Sequence, residues 1–229
     1  MTSPTSVDPF AGQPVPLPSK VFPTRTHNPT HAKPRRKALV KFVYDKTYSM
    51  DELDGPVVQC SHEAVDECAR DNIELRTGLL FVRDVPENGA DNGLIDRGIV
   101  AIDEFKRLIA NEPLIGNNSD DESQLDGLLR AALADWPDVR PGRVKHVILV
   151  TNSGTKNAMD GATPEQAVDV FLRQGVRVHI IGPANVDAYK ILTGRTGGLL
   201  FPIPPVTKDY FTSIFQTIGK TVTATSLAK

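Results

Sequence analysis

Cysteine is nearly absent from this chain of 229 residues, which holds only Cys60 and Cys68. On a single helix those two positions stand about 12 Å apart along the axis, beyond the reach of a disulfide, so both are expected as reduced, partly buried thiols. No stretch approaches the roughly 20 consecutive apolar residues that a membrane span requires. The N-terminus also lacks the apolar segment of a secretory signal, which points to the cytoplasm. A basic excess is missing too: the formal charge is −2, which argues against a general nucleic-acid binder. Five histidines, at 27, 31, 62, 146 and 179, are scattered without zinc spacing. His146 and His179 fall in strand-like runs and read as core or edge residues. No GxxxxGK[ST] motif occurs. The glycine cluster Thr193-Gly194-Arg195-Thr196-Gly197-Gly198 precedes a strand instead of opening a helix, so a helix C-cap and turn fit it better than a phosphate loop. The lone Trp136 reads as a packing lid.

What is present is ordinary for a folded domain: 40% hydrophobic and 24% charged residues. A chain of this length can bury about 70% of its unfolded surface without disulfide or metal staples. Charge and proline are unevenly spread. The first 36 residues carry eight prolines, and residues 1–37 hold six Lys/Arg against one acid, leaving 20 basic against 27 acidic residues beyond them. The reading is a Pro-rich basic N-terminal arm over 1–36, extended or disordered, followed by a mildly acidic domain over 37–229. Pro14-x-Pro16-x-Pro18 and the basic cluster Lys33 to Lys37 fit a linker and a solubilising junction, or else a strap that docks a partner. Val21 and Phe22 would anchor the arm if part of it packs.

From Lys37 onward, apolar runs alternate with helical periods, the pattern of an α/β fold with a largely parallel sheet. Strands are expected at Ala38 to Tyr44, Ile73 to Val82, Leu94 to Ala101, Lys145 to Val150, Val176 to Ile181 and Leu199 to Ile203. The turn chemistry of Pro86-Glu87-Asn88-Gly89 suits a loop or hairpin better than a crossover, and the third strand reads as a short edge strand. Helices are expected from Ser61 to Arg70 with Ser61 as cap, from Ile102 to Asn111, and from Gln124 to Trp136. Another starts at Thr163-Pro164 and stops near Gly175, and the next is capped by Asn185. An apolar stripe of Tyr210, Phe211, Ile214, Phe215 and Ile218 suits a C-terminal helix docked on the sheet. The fold class is therefore α/β: a doubly wound, mostly parallel six-stranded sheet with one antiparallel edge strand and helices on both faces.

Three polar segments follow the ends of these elements. Asp45-Lys46-Thr47-Tyr48-Ser49-Met50 ends the first strand, and its acid and two hydroxyls at two-residue intervals present hard oxygen donors that suit Mg²⁺. The same residues also suit an Asp that caps the next helix, with Thr47 and Ser49 bonding locally. Met50 reads as a buried gap-filler. The second segment, Asn117-Asn118-Ser119-Asp120-Asp121-Glu122, precedes the helix at Gln124. The third, Thr151-Asn152-Ser153-Gly154, leaves the strand at Val150. If the sheet order reverses between the first strand and the one beginning at Lys145, a crevice opens at their carboxyl ends, where Asp45 and Asn152 sit.

Together the three segments, over roughly residues 37 to 220, resemble the metal-ion-dependent adhesion site of the von Willebrand factor type A (vWA) domain family. The resemblance implies that Asp45, Thr47 and Ser49 fill the Asp-x-Ser-x-Ser motif and that Ser119 takes the Thr slot. Asn152 stands where the family has Asp, which removes a negative charge and weakens the site. Asp120, Asp121 and Thr151 are possible outer partners. The acids at 120 to 122 suit the dipole of the following helix better than ligation. The implied cofactor is Mg²⁺, or Mn²⁺ or Ca²⁺ in its place. The implied function is recognition of a protein partner that presents an Asp or Glu to the ion, without catalysis. Two alternatives stand beside it. A haloacid-dehalogenase-like phosphatase would use Asp45 as nucleophile but would need an acid where Thr47 stands. A scaffold with a decayed metal site could bind through its Pro-rich arm.

Overall fold

The computed structural model describes residues 36–70, 73–83, 93–116, 121–136 and 145–203, with 213, 216–218, 220 and 221 near the C-terminus. The N-terminal arm with Val21 and Phe22, the turn at 86–89, Ser119, Asp120, and Tyr210, Phe211, Ile214 and Phe215 lie outside the described residues.

Six strands form the main sheet: β1 (Arg36–Asp45), β2 (Ile73–Val82), β3 (Leu94–Val100), β5 (Lys145–Val150), β7 (Val176–Gly182) and β8 (Leu200–Pro202). Their order is β3-β2-β1-β5-β7-β8, with β3 antiparallel on β2 and every other pair parallel. The expected doubly wound α/β sheet is thus observed, and its order reverses between β1 and β5. Two further strands, β4 (Asp121–Glu122) and β6 (Gly154–Thr155), pair with each other in parallel outside the main sheet. Neither is expected from the sequence, since two-residue strands carry no periodic signal.

Alternation along each strand divides the core between the two faces. Phe42, Tyr44, Leu79, Phe81, Ile148 and Ile181 pack with α1 (Asp51–Arg70) and α2 (Ile102–Asn111) through Val57, Cys60, Val65, Phe105 and Ile109. Met50 and Ile218 are buried in the same cluster. On the other face Val43, Leu80, Val147, Leu149, Val178 and Ile180 pack with α3 (Gln124–Leu133), α4 (Pro164–Arg173) and α5 (Asp187–Thr196). Gly127 lets α3 lie directly on the sheet, because a Cβ there would collide with Val82. No helix among the described residues is long and apolar enough to cross a membrane.

Several boundaries differ from expectation. Helix α1 begins at Asp51, behind a 3-10 turn at Tyr48–Met50, ten residues before Ser61. Ser61 is no cap: it is buried, donates 2.7 Å to the Val57 carbonyl and meets the Tyr44 hydroxyl at 2.5 Å. The three acids of the first turn, Asp51, Glu52 and Asp54, favour the true N-terminus. Asn185 does not cap α5, whose N-cap is Val186 without a side-chain bond. Helix α3 stops at Leu133, and Trp136 beyond it is buried and donates 3.1 Å to the Ala131 carbonyl. The Thr163 capping box and the left-handed C-cap at Gly197 (φ 71°) stand where the sequence puts a helix start and a helix end.

Candidate metal centre

Register brings the first and third polar segments together. Tyr44 pairs with Val150 across the parallel β1–β5 ladder, so Asp45 and Thr151 are the next residues on adjacent strands, at the same carboxyl edge. Thr151 Oγ1 donates to Asp45 Oδ2 at 2.6 Å. Asp45 Oδ1 accepts from the Thr47 backbone N–H at 2.9 Å and from Thr47 Oγ1 at 2.6 Å. Asp45 therefore caps no helix, since the N-cap of the next turn is Thr47 without a side-chain bond, but the expected local bonding and the clustering of oxygens are both present. Ser49 Oγ lies 2.9 Å from Thr47 Oγ1 and donates to Asn152 Oδ1 at 2.8 Å, while Asn152 Nδ2 donates to the Ser49 carbonyl at 2.6 Å. Asp45, Thr47, Ser49, Thr151 and Asn152 are thus one cluster.

The second segment enters in a different way from the one expected. Ser119 and Asp120 lie outside the described residues. Asp121 is exposed on β4, and Glu122 is fully buried beside it. Alternation on a strand sends neighbouring side chains to opposite faces, and pairing of β4 with β6 holds Glu122 inward. Glu122 Oε2 is 3.2 Å from Thr47 Oγ1, so this acid belongs to the cluster and not to the helix start. The first-turn acid of α3 is Asp126 instead. The N-terminus of α3 is held from the third segment, where Thr155 Oγ1 accepts from the Leu125 N–H at 2.9 Å.

Gln124 was not expected here. Its side chain is fully buried, and Nε2 donates to Asp45 Oδ2 at 2.8 Å and to Glu122 Oε2 at 2.9 Å, with Thr151 Oγ1 3.1 Å away. The signal that could have found it is positional: Gln124 leads Leu128 and Ala131 on the buried face of α3, and a polar residue on an apolar stripe needs polar partners. Ser153 is a further addition, with Oγ 3.3 Å from Ser49 Oγ and 3.2 Å from Asn152 Oδ1.

The cluster has a sealed floor and an open rim. Asp45, Thr47, Glu122, Gln124 and Thr151 are buried, whereas Ser49 and Asn152 are half-buried and Tyr48 is 55% exposed. Beneath it Tyr189 donates to the Ser153 carbonyl at 2.8 Å. Burial, and then the negative charges of Asp45, Glu122 and Asp121, hold that phenol well above its ordinary pKa. The ammonium of Lys46 is directed elsewhere, to Asp54 at 2.6 Å and the Ile109 carbonyl at 3.1 Å. Every donor named at Asp45 is neutral.

Oxygens outnumber the hydrogens available to join them. Thr47 Oγ1 has one proton and three oxygen neighbours, at Asp45, Ser49 and Glu122. The Gln124 carbonyl oxygen is buried and has no hydrogen-bond partner among the described residues. An excess of hard oxygen donors around one point is the chemistry of a Mg²⁺ or Mn²⁺ site, so the residues fit such an ion. Among the described residues no group of three His, Cys, Asp or Glu could hold a metal. Hydroxyl and amide oxygens would have to supply the remaining ligands.

No family model matches the chain, and no curated protein matches it. Solved structures do. Proximal thread matrix protein 1 from the mussel byssus, with a zinc-occupied MIDAS motif, is 16% identical at a TM-score of 0.58, covering 81% of this chain and 45% of that one. The SpRpn10 VWA domain is 15% identical at 0.57, covering 79% and 94%. The pilus adhesin SpaC from Lactobacillus rhamnosus GG, in its open conformation, is 12% identical at 0.60, covering 82% and 30%. This chain spans less than half the length of the first and third proteins. What these likenesses carry is the fold: the chain adopts the vWA-like α/β architecture, with its antiparallel edge strand β3.

Proposed function

We propose that this domain recognises a protein partner through a divalent cation held at the carboxyl edge of β1 and β5. Thr47 and Ser49 would bind the ion through their hydroxyls, with Glu122 beside them and Asp45 behind, orienting Thr47. Asn152 lies at the rim, where its carbonyl oxygen can join directly or through water. Glu122 restores the negative charge that Asn152 lacks relative to the family pattern, and Ser119 remains a candidate for the same shell. When bound, a divalent ion supplies an electrophilic point for an outside carboxylate. The rim, where Ser49 and Asn152 are half-buried, is where an Asp or Glu of a partner would approach.

The observation that carries this reading is the meeting of the Thr47 and Ser49 hydroxyls with Glu122 and Asn152 from two other segments. The zinc-occupied motif of the mussel protein on a similar fold supports it. A phosphatase role for Asp45 is disfavoured by geometry: the carboxylate is 1% exposed and each of its oxygens already accepts two hydrogen bonds. The Pro-rich segment at 1–36 is best read as a linker to the domain. Isothermal titration with Mn²⁺ tests the proposal. Wild type should give a saturable heat and Ser49→Ala, at a half-buried position, should lose about tenfold or more in affinity. Identical isotherms for the two proteins would defeat it.

A further inference from the structure

Gln124 is a fully buried residue at this site that the family resemblance does not supply. Its carboxamide nitrogen lies 2.8 Å from Asp45 Oδ2 and 2.9 Å from Glu122 Oε2, and both of these oxygens are acceptors. Only the NH₂ end of the amide can face two carboxylates, so the orientation is fixed by chemistry. The two amide hydrogens then serve one carboxylate each, bridging acids that arrive from β1 and β4. Thr151 Oγ1, at 3.1 Å, is a third neighbour with no hydrogen left for it. The other end of the amide, Oε1, is buried without a partner among the described residues.

We infer that the Gln124 carboxamide is a built-in stand-in for the cation, which holds the metal-free site together and which an incoming ion must displace. The inference deepens the metal reading of this site. A neutral donor that joins Asp45 to Glu122 does part of the work of a positive charge, so the domain stays ordered without metal. It also competes, because Glu122 Oε2 cannot serve the amide and a cation equally. Were Glu122 to be drawn to an ion, the carboxamide would be free to turn and could offer its unpartnered oxygen in place of its NH₂. Gln124 therefore sets the site to low affinity and makes occupancy responsive to metal concentration.

Gln124→Glu replaces the donor with a third carboxylate at nearly constant shape. In EDTA this variant should melt roughly 5 °C or more below wild type, because the donor between the two acids is gone. Mn²⁺ should restore it, with binding about tenfold tighter than wild type because ligand charge has risen. Should Gln124→Glu fail to fold, Gln124→Met removes the donor without adding charge. It should also melt lower in EDTA and gain more from Mn²⁺ than wild type does. Unchanged melting in EDTA, or a loss that Mn²⁺ does not recover, would overturn the inference. If wild type gives no Mn²⁺ heat while Gln124→Glu binds, the stand-in role holds and the proposed function falls.

Discussion

Two polar clusters are buried in this sheet, and they meet burial in opposite ways. On β5 and β7, His146 Nδ1 and His179 Nε2 face each other at 3.0 Å with the rings stacked. Desolvation, then the neighbouring His179 and Arg177, lowers the His146 pKa to about 3, and desolvation and Arg177 lower that of His179 to about 4. The imidazoles solve their burial by giving up charge. At the carboxyl edge of the same sheet Asp45 instead collects four neutral donors, and Glu122 lies beside it with oxygens still crowded against oxygens. The neutral pair is core, as expected of these histidines from their strand positions, although His179 Nδ1 is buried without a hydrogen-bond partner among the described residues. In the proposed function, the carboxylate cluster is instead the place where a ligand would bind.

The largest effect that separates the clusters is acid sensitivity. The unfolded chain protonates both imidazoles near pH 6.5, while the folded chain keeps them neutral down to about 4 and 3. Stability from this pair is therefore intact above pH 6.5 and falls as the pH drops below it. The expected loss is on the order of 2 kcal/mol per imidazole between pH 6.5 and 5, read from urea unfolding. The double change His146→Phe with His179→Leu should flatten that slope without altering the response to Mn²⁺. An unchanged slope would mean that other groups govern the acid limb.

A smaller effect sharpens the comparison from the other side. Gly127→Val puts a side chain where Val82 already stands, so α3 must shift away from the sheet. The expected cost is about 1–3 kcal/mol in urea. Because α3 carries Gln124, the Mn²⁺ response should change while the histidine pH slope does not. Loss of the pH slope with an intact metal response would reverse the assignment of roles.

Much of this architecture is legible in the sequence because periodicity reports burial. The boundaries of β2, α2 and β5 follow directly from their apolar runs, whereas the reversal at β1 and β5 is a condition of the reading that the observed strand order meets. The start of α1 is hidden because Gly55 and Pro56 lie inside its N-terminal part, where both weigh against helix on propensity. The first and third segments of the site are readable, since each follows a strand end. The second is not, because its geometry depends on the β4–β6 pairing, in which two residues of one segment align with two of another. That pairing turns Glu122 inward and Asp121 outward, a choice that composition alone cannot make. Gln124 carries no motif, and its role arises only when three segments converge on its amide.

The most direct test of the central claim is anomalous scattering from a crystal of wild-type protein soaked in Mn²⁺. The account predicts one peak between Thr47 Oγ1 and Ser49 Oγ, within about 2.2 Å of both, with Glu122 turned toward it and the Gln124 amide rotated. Crystals that show no peak there, with Gln124 Nε2 still bridging Asp45 and Glu122, would contradict it.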